Sequence, residues 1–205
     1  MISNKKIKLL EVWKKGLFSE FGTAEIMKIS GKKTKPWVFN ALKELERAKL
    51  LLSKRKGNLD VYSLNLNNPL LLQTLQYIEA QNSLNFPKLD IIMEIIGKIP
   101  LRTYCLLAFG SYAEGTQTKD SDLDICILIE SQALEKKLKP YFNDMKLASA
   151  VNIDEHYISF NDFIKMLLRD EENLGKQIFR NRRIFYNADI YYRLVKEAHK
   201  NGFST

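Results

Sequence analysis

The run Asp122-Leu123-Asp124-Ile125-Cys126-Ile127-Leu128-Ile129 constrains this chain more than any other stretch. Five consecutive apolar residues, three of them β-branched, read as a strand buried on both faces. Side chains alternate along a strand, so Asp122 and Asp124 project together, about 7 Å apart. Two carboxylates at the mouth of a buried strand repel each other, and aspartate is a poor strand former. The arrangement opposes folding unless a cation offsets it. Hard oxygen ligands at this spacing suit Mg²⁺ or Mn²⁺.

A second apolar run, Leu106-Leu107-Ala108-Phe109, ends in Gly110-Ser111, eleven residues before the acidic pair. Glycine lets the backbone approach a ligand closely. The amides of a short helix through Ala113 and Glu114, with the Ser111 hydroxyl, can hold phosphate oxygens. Gly-Ser alone is a turn and Asp-Leu-Asp alone is a strand edge. Placed between two buried strands, they predict a site for a metal and a triphosphate. Cys105 and Cys126 each sit inside an apolar run and read as buried thiols.

The charge is divided unevenly. Residues 1–67 hold 15 basic and six acidic residues, net +9, whereas the remainder holds 17 basic and 18 acidic, net −1. A basic segment beside a neutral body predicts a polyanion-binding module joined to something with a different task. Apolar spacing predicts a helix over Lys5–Lys15, a second over Thr23–Ile29 with Thr23 as N-cap, and a break at Gly31. A third helix is expected from Thr34, with Pro36 in its first turn and Val38, Leu42, Leu45 and Leu50 on its inner face. Leu51 and Leu52, a basic turn at Lys54-Arg55-Lys56-Gly57-Asn58 and the run Val61 to Leu64 read as a β-hairpin.

Three helices and a charged hairpin make a winged helix-turn-helix. Its third helix enters the major groove of duplex DNA while the wing lies along phosphates. Lys32, Lys33, Lys35, Trp37, Asn40 and Lys43 are the groove-side candidates, and Lys54, Arg55 and Lys56 those of the wing. Lys35-Pro36-Trp37-Val38 to Leu42-Lys43-Glu44-Leu45, with Tyr62-Ser63-Leu64-Asn65, resembles the winged-helix domains of archaeal and bacterial transcription regulators. Such domains also serve as protein-interaction modules, and they often form homodimers.

Asn67-Asn68-Pro69 punctuates the chain. A helical connector over 68–100, with helices at Leu70–Ala80 and Lys88–Gly97, leads into a body over 101–205 of α+β class, a mixed sheet with flanking helices. Helices over 131–146 and 160–169, a strand near Ile184–Tyr186 and a last helix to Lys200 complete it. Arg180, Arg182 and Arg183 read as a solvated face, or as contacts for nucleotide phosphates or acceptor. No apolar stretch approaches the roughly 20 residues that a membrane-spanning helix needs, and the N-terminus lacks the pattern of a secretory signal. A cytoplasmic protein without a membrane partner is expected.

Phe109-Gly110-Ser111-Tyr112-Ala113-Glu114-Gly115 and Ser121-Asp122-Leu123-Asp124 resemble the signature of the DNA polymerase beta-like nucleotidyltransferases, most of all their minimal, single-domain branch. The resemblance spans residues 90–160. It implies transfer of a nucleoside monophosphate from an NTP to an acceptor hydroxyl, with two metal ions held by three carboxylates. Asp122 and Asp124 are two of these. The third belongs on a later, adjacent strand, where Ala150–Ser159 offers Asp154, with Glu155 in reserve and His156 on the same face as Asp154. Gly110, Ser111 and Ser121 take the nucleotide-binding role. Many minimal members carry Arg where this chain has Glu114. Two other readings stay open: a regulator that senses a nucleotide without catalysis, and an antitoxin that adenylylates a HEPN-type toxin partner.

Overall fold

The computed structural model describes residues 2–149 and 151–204; Ala150, where the expected third acidic strand starts, lies outside them. The chain divides into two compact units, one running to Ile78 and including Ser204, the other spanning Glu79–Phe203.

The first unit opens with α1 (Asn4–Ile7), which tightens into a 3-10 turn over Lys8–Trp13. The single helix expected over Lys5–Lys15 is thus mostly 3-10. Leu9, Leu10, Val12 and Trp13 are buried along it, at a spacing that α and 3-10 geometry both satisfy. β1 (Phe21–Gly22) follows, then α2 (Thr23–Ser30) and α3 (Lys35–Arg47). Gly22, not Thr23, caps α2; its amide donates to the Glu25 carboxylate at 2.8 Å. Gly31 ends α2 in the left-handed region, where it avoids the Cβ penalty.

Leu50 lies outside α3. The helix ends at Arg47, Lys49 takes φ 57°, and the Leu50 amide returns to the Leu45 carbonyl at 3.0 Å. The side-chain amides of Asn65 and Asn68 hold the Lys49 carbonyl at 2.8 and 2.9 Å. β2 (Leu51–Lys56) and β3 (Leu59–Leu64) form an antiparallel hairpin, with β1 on the outer edge of β3. Only Gly57-Asn58 make the turn, Gly57 at φ 59° as a two-residue loop requires. Lys54, Arg55 and Lys56 therefore belong to β2 and not to the turn.

α4 (Pro69–Ser83) and α5 (Leu89–Lys98) stand where the connector helices are expected, α4 three residues longer at its C-terminal end. The second unit is a four-stranded sheet in the order β6-β5-β4-β7, built from β4 (Tyr104–Ala108), β5 (Leu123–Ile129), β6 (Ile153–Ser159) and β7 (Arg183–Tyr186). β5 and β6 are parallel, and the other pairs are antiparallel. A five-residue helix, α6 (Gly110–Glu114), joins β4 to the loop before β5. A 3-10 turn over Gln132–Leu134 leads into α7 (Glu135–Ala148), which returns the chain to β6.

Leu123, Ile125, Ile127 and Ile129 pack with Ile92 and Ile95 of α5 and with Leu138, Phe142 and Met145 of α7. The opposite face meets α8 (Phe160–Leu168) and α10 (Ala188–Lys200), with α9 (Leu174–Arg180) against α8. Ser159 caps α8 by accepting the Asp162 amide at 3.1 Å. Cys105 and Cys126 are buried free thiols, and burial raises both pKa values.

Arg182 corrects the expectation of a solvated arginine face. It is 1% exposed, with its guanidinium 4.3 Å from the Tyr191 ring centroid and 5.8 Å from those of Phe179 and Tyr192. It donates to the Phe179 carbonyl at 2.5 Å, and Tyr192 donates to buried Glu79 at 2.7 Å. Aromatic faces and a carboxylate replace water around the charge. Ile127→Ala, at a fully buried position, should cost the second unit about 3 kcal/mol in urea denaturation. Leu147→Ala, at a position 89% exposed, should stay within about 0.5 kcal/mol of wild type.

Candidate active site

The parallel register sets Asp124 directly opposite Asp154 and Cys126 opposite His156. Strand alternation places all four on one face. Glu155 falls on the other, paired with Ile125, and forms an ion pair with Lys146 of α7. Asp122 lies one step beyond β5, where the Asn152 side-chain amide donates to it at 2.8 Å. The His156 Nε2 is 3.1 Å from the Asp154 carboxylate, and its ring meets Phe109 edge-on at 5.4 Å.

Phe109 and Gly110 bring the end of β4 against this acidic face. The Phe109 amide donates to the Asp124 carbonyl at 3.1 Å. Gly110 has φ 63°, and a Cβ built there would stand 2.1 Å from the Asp124 Oδ2. Glycine is required twice over at this position, by backbone conformation and by contact. Ser111 is half-buried in the first turn of α6. The Ser121 hydroxyl instead closes the preceding loop, accepting the Thr118 amide at 2.9 Å.

Burial, and then repulsion from Asp154 and Asp122, raise the Asp124 carboxyl above the usual aspartate range; His156 pulls the other way. Among the described residues, no three His, Cys, Asp or Glu side chains converge as they stand on a point that could hold a metal ion. Asp122 is drawn to Asn152 and Asp154 to His156. The donor set nevertheless fits a hard divalent cation in its chemistry. It consists of carboxylate oxygens, two of the three carboxylates are exposed on the surface, and Asp124 is raised first by burial and then by the neighbouring carboxylates.

A cleft of about 350 Å³ opens beside Asp124, lined by Phe109, Gly110, Glu114, Gln177, Arg180 and Asn181. The Asn181 side-chain amide donates to Glu114 at 2.7 Å, tying the end of α9 to the end of α6. Sequence reasoning missed Gln177 and Asn181. Gln177 lies on α9 and Asn181 just past its end, and the place of that helix against the sheet could not be read from the sequence.

The nucleic-acid candidates are distributed over the first unit. Lys32 lies 5.6 Å over the Trp37 ring, and Lys33, Lys35 and Asn40 are exposed. Lys43 instead meets Glu46 at 3.0 Å and faces the Phe39 and Tyr62 rings. Lys54 and Lys56, on one side of β2, both pair with Glu20, whereas Arg55 donates to the Gly57 carbonyl at 3.2 Å.

The raised Asp124 pKa carries a sign. The folded state holds this proton more tightly than the unfolded state, so stability falls as pH rises through the window between the two pKa values. Asp124→Asn should therefore raise the melting temperature of the metal-free protein at neutral pH. The gain should vanish as pH falls below the ordinary aspartate range, as a series of thermal melts would show.

No curated protein matches the chain. A crystal structure of a toxin-antitoxin with AMP-PNP is similar over 55% of this chain and 85% of its own, with 20% identity and a TM-score of 0.36. Residues 89–186 match the model of the nucleotidyltransferase domain family, and this span contains Gly110, Ser111, Asp122, Asp124, Asp154 and the whole lining of the cleft.

Proposed function

We propose that the chain is a metal-dependent nucleotidyltransferase that moves a nucleoside monophosphate from an NTP to an acceptor hydroxyl, and that its first unit is a winged helix that binds duplex DNA. The observation that carries the enzyme reading is Asp124, held between the Gly110 backbone and its register partner Asp154. An anion so placed, with a raised pKa, is a cost to folding that a bound cation would repay.

Asp122, Asp124 and Asp154 would hold Mg²⁺ or Mn²⁺, which supplies charge neutralisation at the triphosphate and a lowered pKa for the acceptor hydroxyl. Gly110 admits the phosphates close to the backbone, and Ser111 offers them a hydroxyl. The acceptor oxygen attacks the α-phosphorus, the bond to the β-phosphate oxygen breaks, and pyrophosphate leaves. Asp154, the more exposed of the facing pair, takes up the acceptor proton.

Incubation with each α-³²P NTP, Mg²⁺ and cell extract should label an acceptor. Asp154→Ala should lower transfer by about 10², the ~3 kcal/mol of a lost transition-state contact, while NTP affinity stays within a few-fold. Glu155→Gln, on the opposite face, should transfer nearly as wild type. NTP binding without transfer to any acceptor would leave a nucleotide sensor and overturn the enzyme reading.

The winged-helix reading is supported by the β1-β3-β2 sheet behind three helical segments and by the net +9 of residues 1–67. Lys54, Arg55 and Lys56 would lie along phosphates, so changing all three to Ala should weaken binding on every duplex alike. The slope of log K against log salt should fall by about three. Glu20 competes for Lys54 and Lys56, and their positive charge keeps its carboxyl below the usual range. Glu20→Gln should tighten DNA binding in the same titration, and unchanged binding in both variants would exclude the hairpin as the contact.

A further inference from the structure

The cleft beside Asp124 has a charge problem. Its described lining contains two carboxylates, Asp124 and Glu114, and one cation, Arg180. A divalent ion on the aspartates would answer Asp124. Glu114 lies at the other end of α6, bonded to Asn181, and would still repel a triphosphate. We propose that Arg180 is the triphosphate ligand of this cleft, and that its ion pair with Glu172 is a latch that the nucleotide displaces. This inference rests on the nucleotidyltransferase reading and names the residue that completes its substrate site.

Three observations carry it. First, Arg180 ends α9 on the cleft, while its helix neighbour Lys176 is bonded to the Asp170 carbonyl at 2.8 Å. Guanidinium presents a planar fork that matches phosphate oxygens. The carbonyls at the α9 terminus oppose an anion with only about half a unit charge, less than the full charge Arg180 contributes.

Second, the chain on either side is fixed. Phe179 is buried and its carbonyl accepts from Arg182, Asn181 is tied to Glu114, and Arg182 is enclosed by the Phe179, Tyr191 and Tyr192 rings. Backbone motion is restrained and the Arg180 side chain is the part left to move. Third, Glu172 holds that side chain through an ion pair in which both partners are about half exposed. Exposed pairs of this kind are weak, so a polyanion can take the guanidinium over.

The test is binding of ATP, GTP, CTP and UTP, and of the matching monophosphates, to the whole chain with Mg²⁺ by calorimetry. Arg180→Ala should lower affinity for the favoured NTP about tenfold or more, the factor that a lost charge-assisted contact commands, and leave its monophosphate unchanged. Arg180→Lys should fall between. Glu172→Gln, which frees the arginine, should tighten NTP binding by a few-fold; this second variant keeps the test decisive if Arg180→Ala misfolds. NTP binding by Arg180→Ala equal to wild type, or equal losses for NTP and monophosphate in the folded variant, would overturn the proposal while the nucleotidyltransferase reading stands. If the wild-type chain binds no NTP at all, both fall.

Discussion

The parallel pairing of β5 with β6 is the constraint on which the second unit depends. Parallel strands need a crossover, and α7 supplies it across one face of the sheet. With that face covered, residues 123, 125, 127 and 129 must be apolar. The opposite face must then be closed by α8 and α10, because Cys126 and Leu128 are also buried. Asp124 is the position at which this double burial gives way, and the register delivers Asp154 beside it. A slip of one residue would exchange Asp154 for Glu155 and destroy both core and acidic face together. Fold and candidate site are thus specified by the same hydrogen bonds.

Much of this was legible because two simple periods carry it. Alternation along 122–129 places the acids, and the Gly-Ser after an apolar run marks the close approach that Gly110 makes to Asp124. What could not be read was long-range. Nothing local says that Asn181 meets Glu114, 67 residues away, or that Arg182 turns inward while Arg180 and Arg183 do not. The same limit shows at Leu50, whose apolar character fits the α3 pattern. The helix stops short of it because Asn65 and Asn68 reach back to the Lys49 carbonyl. The 3-10 turn over Lys8–Trp13 is hidden for a different reason: three-residue and 3.6-residue periods cannot be told apart over six residues.

The first unit shows that net charge overstates available charge. Lys6 is paired with Glu44, Lys43 with Glu46, and Lys54 and Lys56 with Glu20, so half of the six acids in residues 1–67 sit directly on the hairpin or helix cations they temper. Such pairs contribute little to stability. Their effect is on what the surface offers to a polyanion, which must outbid carboxylates already in place.

The position of β4 has a consequence for how the body is made. β4 is central: it pairs with β5, which follows within twenty residues, and with β7, which arrives only at Arg183–Tyr186. During synthesis, at about 5–20 residues per second, the far edge of a fully apolar strand waits several seconds for its last neighbour. An open edge of that kind is a template for pairing with other nascent chains. Ribosome pausing between the codons for β6 and β7 would lengthen that exposure, so yield in a heterologous host should follow the translation speed of that stretch.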